Sequence, residues 1–233
     1  MEKTYKKIGY VFFIILIIVV LGFYKTYFGL FPDFEDVTAI VHFHAITLCI
    51  WSLLIIVQPI LIHYKKISVH RLLGRLSYGL VPLILFSTLA LARSKFFEKQ
   101  GNITLEDNLA SLFLPISHML LFAVFYILAI ANKSKSAIHM RYMIATSFVA
   151  LAPAITRINF NWTGMQFNPL TFSYIVIDLL LVALIAYDIS NKKTYKAYFI
   201  ALTLFLIVHF STFYFARTAL WQSFSEAIVT NLF

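Results

Sequence analysis

The chain has 233 residues, 61% hydrophobic and 12% charged, with a mean hydropathy of +0.85 and a formal net charge of +9. Repeated apolar runs of about 18 or more residues exclude a soluble domain, and the absence of strand-like alternation makes the spans helical rather than a barrel. The basic excess does not indicate nucleic acid: most lysines and arginines sit in short loops between the runs, where they read as topology signals.

The first run, 8–24, follows Lys3, Lys6 and Lys7. No small-x-small motif comes after it, only Phe23-Tyr24-Lys25, so it is read as a span and not as a cleaved signal. The second run, 39–63, carries His42 and His44. His44, Trp51 and Gln58 recur at steps of seven, with Thr47 one turn from His44, which predicts a polar and aromatic stripe facing the bundle interior. Cys49, in the same run, is the only cysteine; it excludes an intrachain disulfide and reads as a small packing residue. The third run, 72–92, is preceded by Ser68-Val69-His70-Arg71, and the fourth, 109–131, places Ser111 and His118 on one face. The fifth, 140–158, follows Ser136-Ala137-Ile138-His139 and begins Met140-Arg141. Ser68 and Ser136 are suited to helix capping. The sixth run, 170–189, has Tyr174 one turn above Asp178, and the seventh, 196–217, has His209 one turn from Thr212. Beyond it, Trp221, Phe224, Ile228 and Leu232 recur at helical spacing, which predicts either an amphipathic helix on the outer surface or a frayed tail. The expectation is an all-α polytopic protein: a seven-helix transmembrane domain over 1–217 and a short tail over 218–233.

Loop charges orient it. Lys65, Lys66, Arg71, Lys133, Lys135, Lys192 and Lys193 fall on one side. Asp33, Glu35, Asp36, Glu98, Glu106, Asp107 and Glu226 fall on the other, with some basic residues among them, including Lys25, Lys95, Lys99 and Arg157. The positive-inside rule then predicts a cytoplasmic N-terminus and an outer C-terminus.

An ionisable group inside a span costs roughly 2.5–3.5 kcal/mol on insertion scales, so it marks a candidate site. His44, His118, Asp178 and His209 fall at matched depth on four spans, roughly 8–14 Å below the outer boundary at 1.5 Å per residue, with His42 nearby. Three imidazoles and a carboxylate suit zinc, iron or copper, with His42 in reserve; Asp178 is the fourth ligand or the catalytic acid/base. Two facing histidines instead suit haem b. The same residues also suit a hydrogen-bonded structural cluster or a proton path. At the inner face, His70 and His139 read as interfacial anchors or as a second ligand pair, as His63 reads as an anchor. The arrangement of outer His44 with His118 and inner His70 with His139 is similar to that of cytochrome b561-type proteins. That similarity implies two haems and transmembrane electron transfer, with Arg71 or Arg141 meeting propionates.

His44-Ala45 with Trp51 and Gln58, His70-Arg71-Leu72-Leu73-Gly74, and His139-Met140-Arg141-Tyr142-Met143-Ile144-Ala145-Thr146 together resemble a family of uncharacterised bacterial multi-pass membrane proteins. Pro153-Ala154-Ile155-Thr156-Arg157, Asp178, Asp188 and Trp221-Gln222-Ser223-Phe224 carry the resemblance further. Such relatives usually have His-Gly where this chain has His44-Ala45. The resemblance implies seven helices in a bacterial inner membrane and no particular activity.

The leading expectation is a metal or haem protein with its centre in the outer half of the bundle, either a metal-dependent enzyme or a redox protein. The competing class is a non-enzymatic transporter or assembly factor. The expected partners are the lipid bilayer and a small lipophilic substrate or redox partner. No P-loop, GxGxxG or GxSxG motif occurs, and the last span has no interior lysine for a retinal Schiff base.

Overall fold

The computed structural model describes residues 8–163 and 167–233, so the basic stretch Lys3, Lys6 and Lys7 lies outside the described residues. Nine α-helices occur among them: α1 Ile8–Gly22, α2 Ala39–His63, α3 Ile67–Lys99, α4 Leu105–Ser111, α5 Phe113–Ala131, α6 Ser136–Ile158, α7 Pro169–Ser190, α8 Lys196–Tyr214 and α9 Ala219–Leu232. Six segments are long and apolar enough to cross a membrane, namely α2, α3, α4 with α5, α6 with the π-turn that follows it, α7 and α8. The chain is a multi-pass membrane protein of helices.

The expected second span coincides with α2, whereas α3 extends beyond the predicted 72–92 at both ends. The expected fourth span is α5 with the end of α4, divided at Leu112 by a tighter turn in which Leu112 N–H donates to Leu109 O at 3.2 Å. α1 has 15 residues, about 22 Å of helix at 1.5 Å per residue, against a hydrocarbon core of about 30 Å.

Helix ends follow local chemistry. Thr104 caps α4 by accepting from Asp107 N–H, Asn168 caps α7 by accepting from Leu170 and Thr171 N–H, and Thr218 caps α9 by accepting from Trp221 N–H. The serine caps predicted for the third and fifth spans are not formed: α3 begins at Ile67 and α6 at Ser136 itself, and neither helix has a side-chain cap. α2 and α7 end in Schellman turns. Lys66 N–H donates to Leu61 O and Lys193 N–H to Asp188 O, while Lys65 and Lys192 take left-handed φ of 57° and 54°.

Two antiparallel pairs, α2 with α3 and α5 with α6, build the bundle, and α6 is its most enclosed helix, packed on α1, α5, α7 and α8. α1 meets α6 at a near-contact of backbones: a Cβ on Gly22 would lie 2.5 Å from Ala154 O, so only glycine allows that crossing. The main core joins Trp51, Ile55, Phe122, Phe125, Phe148, Leu181 and Phe205. A smaller one joins Phe96, Leu109, Leu112, Phe113 and Trp221. It ties α9 down: the buried Trp221 indole donates to Leu109 O at 3.1 Å and packs on Phe113. The predicted surface helix is thus a cap over one end of the bundle. That end also carries loop 23–38, and we call it the cavity end. The opposite end, with Lys65, Lys66, Lys133, Lys135, Lys192 and Lys193 in its turns, is the lysine end.

Candidate ligand cavity at one end of the bundle

α2 and α5 do not pack closely along their length. Trp51 of α2 reaches across to Phe122 and Tyr126 of α5, edge to face, with ring centroids 5.1 and 5.8 Å apart. From that aromatic floor toward the cavity end lies a cavity of about 690 Å³. Its wall is predominantly apolar and includes Leu48, Ile84, Phe96, Leu112, Phe122 and Val149. A large apolar cavity with a few polar groups is how a protein holds a small lipophilic molecule. Here the polar groups include His44, His118, Tyr174, Arg157, Lys95 and Lys99.

The two histidines are locked by their neighbours. Thr47 donates its hydroxyl proton to His44 O at 2.9 Å, and Ser87 donates its own to Ile84 O at 2.9 Å. His44 Nδ1 is 3.1 Å from Ser87 Oγ, which itself lies 3.3 Å from Thr47 Oγ1, so the ring is held in a small hydroxyl network. His118 Nδ1 lies 2.9 Å from Leu114 O, a carbonyl that can only accept. The neutral His118 ring therefore carries its proton on Nδ1 and leaves Nε2 as a lone pair, His44 is held through its own Nδ1, and both residues line the cavity. A histidine oriented through its Nδ1–H is the usual arrangement behind a metal-ligating or proton-accepting Nε2.

His209 and Asp178 form a separate pair. His209 Nδ1 is 3.0 Å from Asp178 Oδ2, and the buried His209 Nε2 and Asp178 Oδ1 have no hydrogen-bond partner among the described residues. Tyr174 covers His209 with ring centroids 3.7 Å apart, and its own ring is 6.2 Å from that of His118. Tyr174 lines the cavity, whereas neither Asp178 nor His209 does. The Tyr174 hydroxyl is 3.2 Å from Thr212 Oγ1, which also reaches Val208 O at 2.8 Å.

Matched depth thus does not bring the four expected residues to one point. Among the described residues, no three His, Cys, Asp or Glu side chains stand close enough to hold one metal ion. The physical reason is azimuth: depth fixes height along a helix, while tertiary packing turns His209 and Asp178 toward each other behind Tyr174. His42 is spent elsewhere, with Nδ1 3.0 Å from the Tyr27 hydroxyl and its ring against Phe34, so it anchors loop 23–38.

At the lysine end, His139 donates Nδ1–H to Ala129 O at 2.8 Å, and His70 lies within electrostatic range of it with Nδ1 buried and unpartnered. Arg141, read from the sequence as a topology signal and a possible propionate partner, is fully buried instead. Its Nε and Nη2 hold Asp188 Oδ2 and Oδ1 at 2.7 and 2.8 Å. His63 is exposed beside Tyr64.

Several residues of the site were not assigned to it from the sequence. Ser87 orients His44 from α3, and its only signal was a Ser-Thr pair inside a span. Arg157 and Lys95 read as outer-face charges, yet they line the cavity. No protein-family model, no curated protein and no solved structure matches the chain.

Proposed function

We propose that the chain is a seven-span membrane protein that holds a lipophilic cofactor in the outer half of the bundle, and that haem b between His44 and His118 is that cofactor. The observation that carries the reading is the pair of imidazoles, on α2 and α5, that line one large apolar cavity with Nδ1 of each engaged by the bundle. The donor chemistry fits haem iron, which takes two neutral imidazoles, and the cavity offers an apolar wall for a macrocycle. Haem would supply one-electron transfer. The protein's part is to orient both rings through Nδ1, keep water from the buried edge through the Trp51–Phe122–Tyr126 floor, and bring the cofactor close to one face of the membrane.

The orientation supports an outer-face role. The lysine end is cytoplasmic by the positive-inside rule, which puts the cavity, α9 and the C-terminus outside. α1 serves as the seventh span: it is wholly apolar and runs along α2 and α6. A second haem at the lysine end gains nothing from Arg141, which Asp188 already occupies.

The test is the absorption spectrum of the detergent-purified protein before and after dithionite, with mass spectrometry of its solvent extract. A Soret band that sharpens on reduction and disappears in both His44→Ala and His118→Ala is the expected result. A colourless protein with a stoichiometric lipophilic molecule would keep the cavity as a binding site and remove the redox role. A protein carrying neither would overturn both.

A further inference from the structure

α6 carries two arginines inside the bundle, and the fold treats them differently. Near its start, Arg141 is enclosed and answered by both oxygens of Asp188. Near its end, Arg157 lines the cavity; its Nη1 donates to Pro153 O at 3.2 Å, and its guanidinium carbon sits 4.3 Å from the centroid of the Phe23 ring. No carboxylate pairs with it among the described residues. A guanidinium has five N–H donors in a planar fork, and a partly buried charge is costly until an anion meets it. Lys95 and Lys99 line the same cavity. Their own contacts are peripheral: Lys95 pairs with exposed Glu98, and Lys99 reaches Ser111 Oγ at 3.5 Å. Among the described residues, the cavity wall carries one acid, Asp36, against three cations.

We infer that the molecule held in this cavity carries a carboxylate, and that Arg157 receives it. The inference rests on the reading of the cavity as a ligand site and adds the charge class of its occupant. Such a ligand is amphipathic: its apolar body lies on the wall above Trp51, and its acid group points to the cavity end, where Arg157, Lys95 and Lys99 lie. A haem propionate and the head of a free acyl chain share this chemistry.

The test uses the whole protein in a nonionic detergent and two probes, palmitic acid and its uncharged methyl ester, with retention read by native mass spectrometry and haem by absorbance. If the purified protein is coloured, Arg157→Gln should lower haem content roughly tenfold and Arg157→Lys should restore part of it, which assigns the carboxylate to propionates. If it is colourless, the wild type should retain palmitic acid roughly tenfold over the ester, and Arg157→Gln should abolish that preference while leaving ester retention unchanged, which assigns it to an acyl acid. Equal retention of acid and ester by a colourless wild type, or full haem content in Arg157→Gln, overturns the inference and leaves the ligand site standing. Retention of neither probe by a haem-free wild type overturns the ligand site itself, and the inference with it. Should Arg157→Gln fail to fold, the acid-to-ester ratio of the wild type and the Arg157→Lys result decide the matter.

Discussion

The ring of Tyr174 lies on that of His209 with centroids 3.7 Å apart and planes 11° from parallel, so the tyrosine separates the His209–Asp178 pair from the cavity that His118 lines. This separation decides which histidines can meet a ligand.

It follows that Asp178→Asn and His118→Ala should behave differently. Asp178→Asn should leave the cofactor content of the purified protein near the wild-type value, because Asp178 does not line the cavity. His118→Ala should remove it. Equal loss in the two variants, measured as bound cofactor per protein, would restore a single centre built from His118, His209 and Asp178.

The Arg141–Asp188 pair should govern stability. Both side chains are fully buried, so Asp188→Ala strands a charge and should cost about 3–5 kcal/mol, read as a large fall in the thermal unfolding midpoint in detergent. Replacing both partners with apolar residues, Arg141→Met with Asp188→Leu, should recover most of that loss. A double variant no more stable than the single would contradict this account.

Two glycines give a matched comparison. Gly22→Ala places a Cβ 2.5 Å from the backbone of Ala154 and should destabilise by about 1–3 kcal/mol through forced separation of α1 and α6. Gly79→Ala, in α3, meets nothing within 4 Å and should be neutral or slightly stabilising. Thermal scans of the two variants side by side check both.

The cap at the cavity end depends on Trp221. Trp221→Ala removes the indole bond to Leu109 O and the packing on Phe113, at a cost of about 3–5 kcal/mol for a buried aromatic. Trypsin should then cut after Arg217 much faster than in the wild type. Unchanged cleavage kinetics would mean that α9 is held by other contacts.

Cys49 offers a direct view of occupancy. It is half-buried on the cavity wall and is the only cysteine in the chain. N-ethylmaleimide should label it, and a bound ligand should slow that labelling. Labelling at the same rate with and without palmitic acid, under conditions where the acid is retained, would place the ligand elsewhere.

Much of this protein is written in one dimension. Hydropathy over 39–63, 170–189 and 196–217 located α2, α7 and α8 closely, because a lipid-facing helix must be apolar along its whole length whatever it packs against. The repeat of Trp221, Phe224, Ile228 and Leu232 left a helix and a frayed tail equally open, and the structure has the helix, α9. The cost of burial also marked His44, His118, Asp178 and His209 alike, without sorting one pair from the other.

What tertiary structure alone decided is which buried polar groups face one another. Asp178 and His209 matched His44 and His118 in depth, but rotation about the helix axis, set by packing around α6, turned them to each other behind Tyr174. Arg141 and Arg157 look alike as charges at opposite ends of one span, yet among the described residues only Arg141 pairs with an acid, 47 residues further along the chain. Depth and periodicity are properties of a single helix; azimuth and partnership belong to the bundle, and no local pattern in the chain records them.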